Sequence, residues 1–306
     1  MALQKVADLL VYLVVRVFIC VIQSLSLETC TYLAGALATL LTDVLRVRKS
    51  VLDDNLAHAY PNMRPDERRD LTWRMWRHLF LLLSEIAHAP RKIHTTNWRD
   101  YIELQNSPLI VRTMFDERPA VFVSAHYGNF ELAGYVLGIF GFPTYTVARP
   151  LDNPYIDRFI NRFRSAKGQH ILPKNGSAPA IDHLLASGGA LSLLADQYAG
   201  AKGCWVSFFG RPASTHKAVA VFSLSNDAPL LVSYARRKDR ALHYQMGTEA
   251  TADPRDSESN LGGVRELTEW YTLQLERIIR RAPDQYWWIH RRWKDDRGDR
   301  RRRSAA

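Results

Sequence analysis

The chain has 306 residues, of which 47% are hydrophobic, and a formal net charge of +10. It can bury one substantial core or two small ones, and it shows no low-complexity segment or internal repeat, which excludes repeat architectures. The charge favours a polyanionic partner: nucleic acid, an anionic membrane surface, an acidic carrier protein or a phosphorylated substrate. No RNA- or DNA-binding motif supports nucleic acid. Cys20, Cys30 and Cys204 lack metal-ligand spacing and two lie in the apolar N-terminus, which predicts a reduced compartment rather than a disulfide framework.

The N-terminal segment from Leu9 to Leu27 is apolar and carries Arg16 as its single charge. At about 1.5 Å per residue it is just long enough to cross a bilayer core. Arg16 costs about 3 kcal/mol there unless it reaches the interface, so the segment either spans the membrane or lies in its interface. A cleaved signal peptide is the alternative, but the apolar run is long and the small residues Ala34-Gly-Ala36 come late. We therefore predict an uncleaved anchor, followed by an amphipathic helix over Thr31–Leu45.

Basic residues follow this region, since Arg46, Arg48 and Lys49 outnumber the lone Lys5 that precedes it. By the positive-inside rule, this excess predicts that the main body lies on the cytoplasmic side of a membrane. The predicted organisation is an anchor with an amphipathic helix at 1–45, one domain at 46–294, and a basic, disordered tail at 295–306.

The most informative stretch begins with Ala120–Ser124, whose apolar, β-branched and aromatic residues predict a buried strand ending near His126. Gly128-Asn129 breaks the strand, Asn129 can cap a helix, and Phe130–Phe140 continues with helical spacing. His126 is thus expected at the carboxyl end of a strand, with Glu131 in the first turn of the next helix. In open α/β sheets, this edge is where ligands bind.

His126 and Glu131 would point about 140° apart on one continuous helix, but a strand–turn–helix junction can bring them together. The carboxylate could then accept the Nδ1 proton of the imidazole and leave Nε2 free as a general base. Backbone N–H groups near Gly128, or the side chain of Arg149, are candidates to stabilise an oxyanion. The alternative is a core histidine beside a surface glutamate.

Two further predicted strands end in polar residues at the same edge. Thr144–Arg149 ends in an arginine, and Ala190–Ala195 is followed by Asp196-Gln197. The helix predicted over Leu151–Arg164 carries several arginines. The alternatives are a turn aspartate that caps the next segment and arginines on a solvated helix face.

Several of these segments resemble one family. His126-Tyr-Gly-Asn-Phe-Glu131 resembles the H-x4-E form of the H-x4-D/E motif of glycerolipid and lysophospholipid acyltransferases. The segment Pro283–Lys294 resembles the P-[ED]-Q-Y-x-W-x-H-R-R-[FW]-K signature of the lipid A biosynthesis (lauroyl/myristoyl) branch, which is far more specific. Asn55–Pro61 resembles that branch's N-L-x3-[FY]-P segment. The resemblance runs from the N-terminal apolar segment to Lys294.

The resemblance also implies roles for individual residues. Ala148-Arg-Pro150 resembles a second family block with a substrate-contacting arginine, and Val206–Thr215 resembles the F-F-G-x4-T block, which could bind a phosphate or the acceptor sugar. By itself this last segment is an ordinary glycine turn. The implied catalytic residues are His126 and Glu131. The implied substrate-binding residues are Gly128, Asn129, Arg149, Arg164, Asp196, Gln197, Gly210 and Thr215.

The expected fold is α/β, a single mixed β-sheet flanked by helices in the manner of glycerolipid acyltransferases, with an N-terminal membrane-anchoring helix. The expected enzyme is an O-acyltransferase in which a hydroxyl attacks an acyl thioester directly, and no G-x-S-x-G elbow or catalytic cysteine setting suggests a covalent intermediate. The resemblance implies a lipid A precursor as acceptor, acyl-carrier protein or acyl-CoA as donor, and no metal or cofactor. It also implies a cell inner membrane location with the catalytic domain on the cytoplasmic face.

Three alternatives stay open at this level. One is an acyltransferase of the same family that acts on another glycolipid or phospholipid, such as a phosphatidylinositol mannoside. The second is a metal-dependent, membrane-tethered hydrolase using His126, Glu131 and a second histidine, and the third is a non-catalytic, membrane-tethered binding protein. The aromatic and basic residues around Trp287 and Arg292 suit either a membrane interface with anionic headgroups or packing against the body.

Overall fold

A seven-stranded mixed sheet forms the centre of the computed structural model, which describes residues 2–174 and 176–294. The order of its strands is β1-β9-β8-β2-β5-β3-β4, and neighbours run parallel except for the antiparallel pair β8–β9. The predicted mixed α/β sheet is therefore confirmed. A separate antiparallel hairpin, β6–β7, lies outside it. The strands are β1 Ile102–Gln105, β2 Ala120–Ser124, β3 Thr144–Ala148, β4 Gln169–Pro173, β5 Ala190–Leu194, β6 Cys204–Phe208, β7 Arg211–Thr215, β8 Leu230–Arg237 and β9 Tyr244–Ala252.

Helices cover both faces of this sheet. They are α1 Ala2–Ser24, α2 Leu27–Thr39, α3 Lys49–Ala59, α4 Pro65–Lys92, α5 Ser107–Met114, α6 Phe130–Ile139, α7 Pro154–Ser165, α8 Ala178–Ala186, α9 Ala218–Ser225 and α10 Val264–Arg281. Alternate residues of a strand point to opposite faces. In β2, Val121 and Val123 accordingly belong to the core that includes α8, α9 and α10. Phe122 belongs to a second cluster, against which Met114 of α5 packs.

Helix α1 is long and apolar enough to cross a membrane, and none of its most apolar window is buried inside the protein. Arg16, the cation near the middle of this helix, has a partner: its guanidinium donates to the Tyr12 hydroxyl at 2.9 Å. The same guanidinium lies 4.8 Å from the centre of the Phe159 ring of α7. Because Arg16 turns toward α7, the cost of a charge on this apolar helix is reduced.

The next segment matches the predicted amphipathic helix in part. Helix α2 continues as a π-helical turn at Leu40–Val44, and together they meet α3 at an angle of 95°. Cys30, Ala34 and Ala38 of α2 are buried, whereas Leu33 and Leu37 are exposed. The predicted tail at 295–306 lies outside the described residues.

The C-terminal segment packs into the body of the protein. Of the two interpretations of its aromatic and basic residues, the structure therefore supports packing. Tyr286, Trp288 and Arg292 are at most 2% exposed, and Trp293 is 8% exposed. The Asn55 side chain of α3 donates to the carbonyls of Trp288 and His290 at 2.7 and 2.8 Å. These contacts join the two ends of the main domain.

Candidate active site

The register of two parallel strands brings His126 and Asp196 together. Ser124 of β2 pairs with Leu194 of β5, and the Ala195 N–H donates to the Ser124 carbonyl at 3.0 Å, which extends the pairing by one residue. His126 and Asp196 each follow the last paired residue of their strand by two positions. They therefore leave the sheet side by side at its carboxyl edge, as the ends of parallel strands do.

The Asp196 carboxylate holds His126 with two hydrogen bonds. Its Oδ1 lies 2.8 Å from Nδ1 of the ring, and its Oδ2 accepts the His126 backbone N–H at 3.0 Å. Because an ionised carboxylate only accepts, Nδ1 carries the proton and Nε2 keeps its lone pair. The Gln197 side-chain amide lies 3.4 Å from Nε2. The ring is thus oriented and has a basic nitrogen beside a polar amide, an arrangement that is chemically able to accept a proton from a bound hydroxyl.

The interaction between His126 and Asp196 shifts the pKa of both groups. Burial alone would lower the pKa of His126, but the charge and hydrogen bond of Asp196 outweigh burial, so the pKa of His126 is raised above its usual value. Burial alone would raise the pKa of Asp196, which is 4% exposed, but His126 lowers it below the usual range. Asp196 therefore stays ionised beside an imidazole that binds protons more tightly than a free one.

Glu131 does not make the predicted bond to Nδ1. Its carboxylate forms a bidentate ion pair with Arg164 of α7, whose Nε donates to Oε2 at 2.9 Å and whose second nitrogen donates to Oε1. The side chains of this pair are 16% and 20% exposed. The physical reason is that the first turn of α6 directs Glu131 toward α7, while the neighbouring strand supplies Asp196. Glu131 nonetheless contributes to the raised pKa of His126 through its charge.

The turn at residues 126–129, here called the His126 turn, also differs from the prediction. The Gly128 N–H donates to the Gln285 carbonyl at 2.9 Å, so it is not available to an oxyanion. Gly128 has a φ of +58°, and an added Cβ would lie 1.9 Å from the Ala235 carbonyl oxygen, so only glycine fits. Asn129 is 0% exposed and its Oδ1 caps α6 at the Leu132 N–H, so its side chain is occupied inside the protein.

The other predicted residues occupy three different settings. Arg149 follows β3 at the same sheet edge, but its guanidinium is 73% exposed and pairs with Asp152 at 2.5 Å. Gly210 lies in the β6–β7 turn with a φ of +76° and no atom near a possible Cβ. Thr215 is 1% exposed and its hydroxyl accepts from the Arg292 guanidinium at 2.6 Å, so this hydroxyl has its partner inside the protein.

An apolar cavity of about 100 Å³ opens between the sheet and helices α5 and α6. It begins beside His126, because Phe130, whose ring centre lies 5.1 Å from that of His126, is part of its wall. Its lining is mostly aliphatic and aromatic and includes Ile110, Leu137, Phe140, Phe142, Leu194 and Met246. A narrow apolar space of this size beside His126 can hold a few methylene groups of an alkyl chain.

The C-terminal segment completes the site. The sequence did not predict its contacts with His126 and Asp196. The Trp287 N–H donates to the His126 carbonyl at 3.1 Å, and the Trp287 ring centre lies 5.0 Å from the imidazole. Tyr286 is buried next to Asp196, and burial together with that carboxylate raises its pKa well above the usual value. The tail signature therefore acts as a wall of the site.

Two buried residues of α4 lie behind the site and were also missed. His78 is 3% exposed and Glu85 is 0% exposed. They interrupt a helix face otherwise occupied by buried residues such as Leu71, Met75 and Leu82. Polar residues at positions of an apolar helical stripe are the signal that could have found them.

No group of three or more His, Cys, Asp or Glu side chains within 2–174 and 176–294 is arranged to hold a metal ion.

Comparisons with known proteins agree on one family. The family model "Bacterial lipid A biosynthesis acyltransferase" matches residues 2–295. A lipid A biosynthesis palmitoleoyltransferase of Escherichia coli (strain K12) is 27% identical over 270 residues, which cover 86% of this chain and 84% of that protein. A lipid A biosynthesis lauroyltransferase of the same strain is 25% identical over 256 residues, covering 82% and 80%.

A solved structure adds little to this. The crystal structure of the 1-acyl-sn-glycerophosphate acyltransferase PlsC from Thermotoga maritima is 14% identical, with a TM-score of 0.38 over 88% of this chain and 98% of that one. Because the family model spans nearly the whole chain and the curated relatives cover most of it, the protein belongs to the bacterial lipid A biosynthesis acyltransferase family and is an acyltransferase.

Proposed function

We propose that this protein is a membrane-bound O-acyltransferase that moves a fatty acyl chain from acyl-carrier protein or acyl-CoA to a hydroxyl of a lipid A precursor. The observation that carries the proposal is the 2.8 Å bond from Nδ1 of His126 to Asp196, which leaves Nε2 unprotonated in a ring that packs against Phe130 of the cavity wall. The family supports lipid A as the acceptor.

In the proposed reaction, Nε2 of His126 takes the proton of the acceptor hydroxyl as its oxygen attacks the thioester carbonyl carbon. The tetrahedral intermediate then collapses, the C–S bond breaks, and the thiolate leaves as a thiol after receiving that proton from the imidazolium. Asp196 stabilises the imidazolium, as the buried carboxylate of a serine-protease triad does. No covalent acyl-enzyme is needed.

Gln197 is the proposed polar contact at the reacting oxygens. Its amide lies 3.4 Å from Nε2, close to where the acceptor hydroxyl must bind. An amide N–H donor at this position can bond to an oxygen that gains negative charge. Glu131 and Arg164 are proposed to act together, as an ion pair that fixes α6 relative to α7 and adds negative potential at His126.

The cavity is the proposed site of the part of the donor's alkyl chain that adjoins the thioester. Its wall includes Phe130, which packs against His126, together with Phe142 and Ile110. Binding there would place the thioester next to His126 and exclude water from the reacting atoms. The names of the two relatives, a palmitoleoyl- and a lauroyltransferase, are consistent with donors that carry long alkyl chains.

Membrane attachment is proposed from α1 and the overall charge. Helix α1 can cross a membrane by length and composition. Arg46, Arg48 and Lys49 after α2 favour an active site on the cytoplasmic face of the inner membrane. The net charge of +10 suits a phosphorylated acceptor, an anionic membrane surface and an acidic donor protein. We propose no nucleic-acid partner.

Acyl transfer in detergent tests the proposal directly, with radiolabelled lipid A precursor and medium- or long-chain acyl-carrier protein. Wild type should transfer the chain, and His126→Ala and Asp196→Asn should lose nearly all transfer while remaining folded. No transfer by wild type, together with slow thioester hydrolysis that His126→Ala abolishes, would reject lipid A and point to another glycolipid acceptor. Transfer by His126→Ala at the wild-type rate would reject the mechanism.

A further inference from the structure

A buried polar network connects α4 to the His126 turn. Glu85 is 0% exposed, and its carboxylate accepts from the Arg237 guanidinium of β8 at 2.7 and 2.5 Å. It also accepts the Leu242 N–H at 2.9 Å and the Tyr244 hydroxyl. A buried carboxylate with four such donors is fully satisfied and holds its neighbours in fixed positions.

The network fixes the proton of His78. The guanidinium of Arg237 donates to Nδ1 of His78 at 2.7 Å, so that nitrogen must be the acceptor. Nε2 therefore carries the ring proton and donates it to the Gly128 carbonyl at 3.2 Å. Burial and the charge of Arg237 keep the pKa of His78 well below its usual value, so the ring stays neutral.

Three links run from this network into the His126 turn. The first is the bond from His78 to the Gly128 carbonyl. In the second, the Asn129 side chain donates to the Tyr244 hydroxyl at 3.3 Å, and that hydroxyl bonds Glu85. The third runs through Gln285, whose side chain makes two 2.8 Å bonds to the Arg237 backbone and whose carbonyl accepts the Gly128 N–H.

We propose that His78, Arg237 and Glu85 are positioning residues for acyl transfer: they hold the peptide groups of Gly128 and Asn129, and through them the place of the His126 ring. This inference rests on the proposed general-base function of His126. The network touches neither the imidazole nor the cavity, so its effect must pass through the backbone. If the His126 turn is loosened, the imidazole is hydrogen-bonded to Asp196 for less of the time and is less often aligned with the acceptor hydroxyl.

The test compares His78→Leu with His88→Leu, in the full-length protein. His88 is a matched control, because it lies on the same helix, is 4% exposed, and likewise bonds a backbone carbonyl, that of Ile22, at 3.0 Å. We expect His78→Leu to lower kcat about 10- to 100-fold with KM little changed, since small misplacements of a catalytic group have effects of this size. We expect His88→Leu to keep the wild-type kcat.

The pH profile separates positioning from loss of stability. If His126 loses its contact with Asp196, its pKa falls, so the acid limb of kcat/KM should move to lower pH in His78→Leu. His78→Gln, whose amide can reach the Gly128 carbonyl, should recover most of the lost kcat and the wild-type profile. In the background of His126→Ala, His78→Leu should cause no further loss of the residual rate.

A lower melting temperature with wild-type kcat and pH profile in His78→Leu would overturn the proposal. Where that variant does not fold, Tyr244→Phe cuts the link between Asn129 and Glu85 with a smaller change. We expect it to lower kcat a few-fold with the same shift of the acid limb, and wild-type values would overturn the proposal. Thioester hydrolysis serves as the assay if the lipid A acceptor itself proves wrong, so the two failures are distinguishable.

Discussion

Two carboxylates near His126 have opposite relations to it. Asp196 lies 70 positions away in the chain and binds the ring and its backbone directly. Glu131 lies five positions away and binds Arg164 instead. The difference arises because the parallel pairing of β2 and β5 fixes which residues meet at the sheet edge, whereas a helix beginning after a turn points its first carboxylate wherever the next helix offers a cation.

Asp196 and Glu131 also have different electrostatic roles. Asp196 is 4% exposed and acts through a hydrogen bond and its charge, while Glu131 acts on His126 through charge alone. A direct partner can select the tautomer of an imidazole, and a more distant charge cannot. The site is therefore expected to tolerate loss of the Glu131 charge better than loss of the Asp196 charge.

The largest expected effect is that of Asp196→Asn. An asparagine can present an N–H to Nδ1 and select the wrong tautomer, so kcat should fall about 10³- to 10⁴-fold, as in the equivalent change of a serine-protease triad. Glu131→Gln should cost only about 10- to 100-fold through altered positioning. The measurement is kcat for transfer with saturating donor, with circular dichroism as the check on folding. Equal losses in the two variants would show that both carboxylates serve His126 directly.

The pH dependence of the reaction tests the same difference between Asp196 and Glu131. The general-base role proposed for His126 requires a neutral ring, so kcat/KM should rise with pH as its proton is lost, with a midpoint above the usual histidine pKa because the pKa of His126 is raised. Asp196→Asn should move this acid limb to lower pH, since the main cause of the raised pKa is removed. Glu131→Gln should move it in the same direction but less. A limb that shifts more in Glu131→Gln than in Asp196→Asn would contradict the assignment.

The ion pair between Glu131 and Arg164 should show in stability. Its partners are only 16% and 20% exposed, so Arg164→Ala leaves a largely buried carboxylate without its cation and should destabilise the fold by about 1–3 kcal/mol. Arg164→Lys should recover part of this but not the bidentate geometry. Chemical denaturation of both single variants and of the double variant with Glu131→Gln measures the coupling. If the two single losses of unfolding free energy simply add in the double variant, the ion pair contributes nothing to stability.

The contrast also shows what the sequence could and could not provide. The apolar run of β2, the break at Gly128 and the cap at Asn129 are local signals, and they correctly predicted a strand, a turn and a helix. The placement of Asp196 at the same edge followed from the same reasoning. Its direct bond to His126 did not, because the order β2-β5-β3 depends on packing between distant segments.

Buried networks were harder still to predict. Asn129 was expected to face substrate, yet its side chain caps α6 and bonds Tyr244. Thr215 was expected at a phosphate, yet it bonds Arg292, a residue of the tail signature. A motif shows which residues belong together, but whether a polar side chain faces a ligand or the interior depends on partners far away in the chain.

The smallest expected effect concerns the other side of α6, where Ala133 and Leu137 line the cavity while Glu131 faces α7. Ala133→Leu should fill part of this space and shift donor preference several-fold toward shorter chains, because a methylene that no longer fits loses about 0.8 kcal/mol of burial. Competition between acyl-carrier proteins of different chain length measures the shift. The pH profile should stay that of wild type, since the change leaves His126, Asp196 and Glu131 in place. A uniform loss with all donors, without a change of preference, would show that the alkyl chain binds elsewhere.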